Sequence, residues 1–238
     1  MKASRLIGLV FIIVVAVALV TGLILTIVLV SRPSKAETYK GRVITLSFCN
    51  SQLERQSNSK FRFKRDTPEK SDCTFNANKE QLKNFVSSSD SDVSYILMTY
   101  AENPTLSNLI SKQQALEQLT EMGIASSDQI SQNRALQKYD PTAYENSDLV
   151  FFTPCNTNYS GYHTDLENVR RIINTTMSQG NANKFVVVSL ALDPKNMTAL
   201  YGEGTHNIAA NSSSNIANDI NSKLNITSNF NKIKNSNI

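Results

Sequence analysis

The 238 residues contain no tryptophan, two histidines, three cysteines, eight glycines and six prolines. Each scarcity closes off a class of function. Two histidines and three scattered cysteines lack the ligand spacing of a zinc site. Three cysteines cannot build a disulfide-dense scaffold, and an odd number leaves one thiol unpaired or bonded to another chain. The only close pair of glycines lies in Gly202-Glu203-Gly204-Thr205-His206 with no strand before it, too little for a phosphate-cradling loop. Charge is sparse as well, 18% of residues with a net of +4. Without Lys2 and Arg5 the remainder is near +2, and no basic stripe marks a nucleic-acid partner.

What the chain does have is one long uncharged run. From Leu6 to Val30 the only polar side chains are Thr21 and Thr26. At about 1.5 Å per residue this run spans roughly 37 Å, more than the roughly 30 Å hydrocarbon core. Arg5 and Arg32 bracket it, as charges excluded from lipid should. A signal-peptide core is shorter, about 7–15 residues. Residues 6–30 are therefore read as a transmembrane helix, with 1–5 a short tail and 31–41 a polar linker broken by Pro33. Lys2 and Arg5 on one side and Arg32, Lys35, Lys40 and Arg42 on the other leave the charge rule undecided. A five-residue tail before a long domain suits a signal anchor, with the domain extracellular or lumenal. Five glycosylation sequons, at Asn158, Asn174, Asn196, Asn211 and Asn225, agree with that orientation. With 26 Asn in the chain, chance yields a similar number.

Once the run is set aside, roughly 35% of the remaining 208 residues are apolar, a lean share for one globular domain. Arg42–Phe48, Val93–Tyr100, Leu149–Thr153 and Lys184–Leu192 are β-branched or aromatic runs that predict strands. Between them, Leu82, Phe85 and Val86 keep helical spacing. Ser111 with Gln114 predicts a capping box opening a helix to Met122, stopped by Gly123. Further helices are predicted over 128–139, from Thr164 to Ser178, near Met197–Tyr201, and through Ile216, Ile220 and Leu224. Residues 227–238 read as a disordered Asn-rich tail. The order β-α-β-α-α-β-α-β-α, with unbroken apolar strands, predicts a three-layer, doubly wound α/β domain around a mostly parallel sheet.

Arg42–Asn50 (RVITLSFCN), Val93–Pro104 (VSYILMTYAENP), Asp148–Cys155 (DLVFFTPC) and Lys184–Leu192 with 197–224 follow one another as in a familiar module. In pattern and order, residues 42–226 resemble a von Willebrand factor type A (vWA) domain. The resemblance implies strand order 3-2-1-4-5 and an adhesion or interaction role. It also implies a metal site built on Asp-x-Ser-x-Ser after the first strand and an aspartate after the fourth. The matching positions here are Ser47-Phe48-Cys49-Asn50-Ser51 and Thr153-Pro154-Cys155, which hold no carboxylate. Hydroxyls alone do not satisfy a divalent cation, so no metal and no other cofactor are expected.

In such a sheet Cys49 and Cys155 follow neighbouring strands and meet at one crevice. They are expected as buried free thiols, as a Cys49–Cys155 or Cys49–Cys73 disulfide, or in an intermolecular bond. The ligand-binding rim is expected around Ser47, Cys49, Asn50, Ser51, Asn103, Thr153, Cys155 and Asn156. Three other patterns invite chemistry. Asp90-Ser91-Asp92 resembles the DxD of membrane-anchored glycosyltransferases, though it precedes a strand instead of closing one. Cys155, His163 and Asp165 could form a thiol triad, but no oxyanion donor accompanies them. Lys60–Arg65 ends in a basic sequence that proprotein convertases could cut at Arg65. The sequence thus favours a single-pass membrane glycoprotein whose extracellular domain adheres to a protein or glycan without a metal. A transferase using Asp90 and Asp92, and a purely structural ectodomain, are the alternatives.

Overall fold

A computed structural model describes residues 41–55, 73–144, 146–157, 159–178, 184–192, 194–202, 205–210 and 215–226. The chain divides into two units, Met1–Tyr39 and Lys40–Ile238, and every described residue belongs to the second. The transmembrane helix and linker, the basic site at Arg65, the C-terminal tail, and Asn158 and Asn211 lie outside the described residues. Among those described, no helix is long and apolar enough to cross a membrane.

Among the described residues six strands form one sheet in the order β3-β2-β1-β4-β5-β6. They are β1 (Arg42–Cys49), β2 (Val93–Tyr100), β3 (Thr105–Leu106), β4 (Ser147–Phe152), β5 (Phe185–Ser189) and β6 (His206–Ala209). Only β3 runs antiparallel, as the return arm of a hairpin from β2; all other pairings are parallel. The central strands β1, β4 and β5 are buried along nearly their whole length, on both faces. That explains why they read as continuous apolar runs and not as alternating ones. The order implied by the resemblance is present and is extended by β6. The sequence did not suggest β6 because His206–Ala209 carries a single buried residue, Ile208.

Helices cover both faces. On one face α1 (Phe75–Ser88), α2 (Lys112–Glu121) and α6 (Ala217–Leu224) pack Leu82, Phe85, Leu119 and Ile220 against Ile44, Leu46 and Phe48. On the other, α3 (Gln132–Lys138), α4 (Tyr162–Ser178) and α5 (Pro194–Tyr201) pack Leu136, Val169, Ile173 and Met197 against Leu149, Phe151 and Val187. The starts follow local chemistry. Thr74 Oγ1 accepts the Ala77 N–H at 3.1 Å to cap α1. The Ser111–Gln114 capping box opens α2 as its spacing predicts. Two starts differ from expectation. Helix α4 begins at Tyr162, before Thr164, behind Gly161 with φ 82°. Helix α3 begins only at Gln132, where Asp165 caps it from α4 by accepting the Gln132 and Asn133 N–H groups, both at 2.9 Å.

Among the described residues, the Arg42–Asp148 ion pair holds the amino-terminal edge of the sheet. Arg42 donates from Nε and Nη2 to Asp148 Oδ2, at 2.8 and 2.5 Å, and from Nη2 to the Leu224 carbonyl. Asp148 Oδ1 takes the Lys184 N–H at 2.8 Å. One buried carboxylate therefore ties β1, β4, β5 and the end of α6. Removing one partner of a buried pair strands the other charge. Asp148→Ala is expected to lower unfolding free energy by about 2–3 kcal/mol, read as a shifted denaturant midpoint at unchanged slope. Glu80→Ala, which breaks the exposed Glu80–Lys83 pair, should cost under about 0.5 kcal/mol. Equal costs would contradict this account.

Candidate functional site

In a doubly wound sheet the chain leaves β1 for one neighbour and β4 for the other, opening a crevice at their carboxyl ends. Here it is walled by the residues after β1 (50–55), after β2 (101–104) and after β4 (153–157 and 159–161), with the stretch 123–131 alongside. These pieces are stitched by backbone bonds. Asn50 N–H donates to the Tyr100 carbonyl (3.2 Å), Gln52 N–H to Ser127 (2.8 Å), and Ala125 N–H back to Asn50 (2.7 Å). The Ser51 hydroxyl adds a bond to the Ser127 carbonyl at 3.0 Å. Beneath them the Tyr100 ring stacks on Phe151, centroids 5.3 Å apart, and its hydroxyl donates to the Phe152 carbonyl at 2.5 Å.

The floor of the crevice holds a group the sequence reading missed. Gln52–Arg55 winds into a 3-10 turn that carries Glu54 inward to full burial. Its carboxylate accepts the Cys155 N–H (3.0 Å) on Oε2 and the Asn156 N–H (3.2 Å) on Oε1. The Cys49 thiol at the end of β1 also donates to it. Burial pushes the Glu54 carboxyl up to about 7, because desolvation outweighs the amide and thiol hydrogen bonds that favour its charged form. Burial, together with Glu54, likewise pushes the Cys49 thiol well up. No motif flags a lone glutamate in a polar turn; only the third dimension shows that it reaches the loop after β4.

Several expectations need correction. Cys155 is bonded to Cys73, with S–S 2.08 Å and Cα atoms 5.4 Å apart, and Cys49 is a buried free thiol. The bond is thus neither Cys49–Cys155 nor Cys49–Cys73 but Cys73–Cys155, with Cys73 carried to the loop after β4 at the start of α1. Of the eight residues expected at the rim, Ser47, Cys49, Ser51, Thr153 and Asn156 are buried, and only Asn50, Asn103 and Cys155 reach solvent. Strand β1 continues to Cys49, so Ser47 lies within it, opposite Met98 and Phe151, its hydroxyl without a hydrogen-bond partner among the described residues. Thr153 Oγ1 donates to Ser189 Oγ at 2.8 Å and so braces β4 to β5. The rim surface belongs to other side chains on the same loops, exposed Gln52, Glu102, Ser160 and His163.

The donor set does not fit the divalent cation that the resemblance implies. Ser47 and Pro154, at the positions matched to the carboxylates, offer none, the Ser51 and Thr153 hydroxyls are engaged, and both Glu54 oxygens already hold amides. Among the described residues no three His, Cys, Asp or Glu side chains converge. The thiol triad dissolves too, because Cys155 is oxidised and Asp165 caps α3 while accepting the Tyr159 hydroxyl at 2.6 Å. Asp90 and Asp92 lie in the connection from α1 to β2, at the sheet edge opposite the crevice. Of the sequon asparagines, Asn174, Asn196 and Asn225 are exposed.

No protein-family model and no curated protein sequence matches the chain. Solved structures do. An aerotolerance-related membrane protein from Bacteroides fragilis superposes with a TM-score of 0.53 at 11% identity, over 78% of this chain and 99% of that one. The conserved hypothetical protein BatB from Bacteroides thetaiotaomicron gives 0.53 at 9% identity, over 78% and 98%. The VWA domain of SpRpn10 gives 0.50 at 12% identity, over 76% and 95%. At such identities the likeness establishes the fold, which is vWA-like.

Denaturing the protein without reductant and alkylating it should label one cysteine per chain, Cys49, and leave a Cys73–Cys155 cross-linked peptide pair on mass analysis. Native protein should resist the same reagent, since the thiol is buried and its proton held. A cross-link containing Cys49 would contradict the assignment.

Proposed function

We propose that this chain is a single-pass membrane protein that presents its vWA-like domain outside the cytosol and binds a protein or glycan through the carboxyl-end rim, without a metal. The observation that carries this reading is the crevice itself. It sits at the switch point between β1 and β4, where open α/β sheets take their ligands. Its floor is closed by internal bonds, and its edge offers the exposed polar side chains Gln52, Glu102, Asn103, Ser160 and His163.

Other features support the surroundings of that reading. The Cys73–Cys155 disulfide suits an oxidising compartment. The uncharged run 6–30 is long enough to anchor the chain, and one solved structure of the same fold belongs to a protein described as a membrane protein. Exposed Asn174, Asn196 and Asn225 could accept glycans there. The near-neutral charge of the domain favours a mixed polar contact over a polyanion.

The test uses cells displaying the full chain, scored for attachment to neighbouring cells and matrix. The variant Glu102→Ala/Asn103→Ala/His163→Ala should reduce attachment by roughly tenfold or more with the melting temperature unchanged. Asp92→Ala at the far edge, and chelation by EDTA, should leave attachment intact. Attachment that survives the rim variant, or that EDTA abolishes, would overturn the proposal; no attachment by the wild type would leave the purely structural reading.

A further inference from the structure

Among the described residues, Glu54 is a buried carboxylate without a counter-ion. The groups facing it come from each element packed around the crevice floor. Strand β1 supplies the Cys49 thiol, and β2 the Tyr100 phenol, which interacts with it electrostatically while bonded to the Phe152 carbonyl. The loop after β4 supplies the Cys155 and Asn156 amides and an oxidised, non-titrating sulfur. Helix α1 supplies Asn78, whose Nδ2 donates to Cys155 Sγ at 3.5 Å. The stretch 123–131 supplies the Ser127 carbonyl to the turn that carries Glu54. Among the described residues none of these is a cation, and Glu54 forms no ion pair.

Two consequences follow from this arrangement. First, the carboxyl joins the turn after β1 to the loop after β4, the two segments that a cation would bridge in the pattern this chain resembles but does not satisfy. Second, its charge is costly where it sits. A carboxylate sealed from water with only neutral donors is relieved either by taking a proton or by opening to solvent. We propose that Glu54 is a proton-operated crossbridge that takes the place of a metal, closing the rim when protonated and loosening the loop after β4 when ionised.

The sign follows from linkage. With the folded-state carboxyl raised to about 7 from 4.5, the closed rim binds the proton more tightly than an opened rim does. Closure is therefore strongest below about pH 4.5 and weakens as pH climbs to about 7, beyond which the loss levels off. The consequence for partner binding rests on the rim reading above; the opening itself does not.

Hydrogen exchange of the full chain in lipid nanodiscs, followed by mass spectrometry from pH 5 to pH 8 and corrected for intrinsic exchange, tests the crossbridge in the absence of any partner. The rim segment 153–157 should show an opening equilibrium that rises by roughly 70-fold over this range. The β5 segment 185–189 should follow the intrinsic rate alone. Glu54→Gln, neutral at every pH, should flatten the rim profile, and millimolar Mg²⁺ should change neither. A rim that tracks β5 in the wild type, or a Glu54→Gln protein that keeps the rise, would overturn the proposal. Should Glu54→Gln fail to fold, the two wild-type segments still decide. Exchange that behaves as stated while the rim variant retains attachment would uphold the crossbridge and reject the binding reading; the reverse would do the opposite.

Discussion

A carboxylate taken out of water must find its hydrogen bonds within the protein, and Glu54 finds them on a segment a hundred residues away. That constraint organises the carboxyl end of the sheet. The 3-10 turn after β1 has to wind so that Glu54 points inward, and the loop after β4 has to present two successive amides to it. Cys49, the last residue of β1, supplies the third hydrogen bond. The Cys73–Cys155 bond then pins the same loop to the start of α1 from the other side. Such a floor leaves little for a cation to do, and it turns protonation into a structural variable.

The opposite edge of the sheet solves a similar problem differently. Asp148 is also buried, but Arg42 lies against it and the Lys184 amide completes its coordination. A paired carboxylate is a fixed strut, whereas an unpaired one is sensitive to protons. The domain thus has a rigid amino-terminal edge and a responsive carboxyl-terminal rim, with a sheet buried on both faces between them. Asp165 is a third case, spent on capping α3 and on the Tyr159 hydroxyl. Gln132 extends that network, donating to Tyr159 and accepting from Tyr201, both at 2.9 Å.

Much of the scaffold was legible because parallel strands and amphipathic helices write their burial into sequence. Val186–Val188 and Leu149–Phe152 could hardly be anything but central strands, and Ser111 with Gln114 announced a helix start that the structure reproduces. What escaped was set by contacts across long separations. Strand β6 is an edge strand with one buried side chain, too little to register as a pattern. Cys73 lay in an irregular basic stretch, with no cue that the start of α1 would carry it to Cys155. Ser47 is placed at the rim only by its match to the Asp-x-Ser-x-Ser of the resemblance, although it already lies inside the predicted strand Arg42–Phe48. The strand runs one residue further, to Cys49, and buries both residues within the sheet. Glu54 had no sequence neighbour to mark it, since its partners are backbone amides, which any residue could provide.

The vWA-like fold is shared with proteins only about a tenth identical to this chain, so the fold permits many rims. What distinguishes this rim is that Ser47 and Pro154 stand where the resemblance implies liganding carboxylates, and that one glutamate turns inward. The behaviour of the rim therefore depends on the state of a single side chain. Carbon-13 NMR of the full chain labelled at the glutamate side-chain carboxyl, with the Glu54 resonance assigned by its loss in Glu54→Gln, measures that state directly. The account expects this carboxyl to titrate near pH 7. Titration at or below the ordinary value of 4.5 would mean that Glu54 is well solvated or charge-paired, and would contradict it.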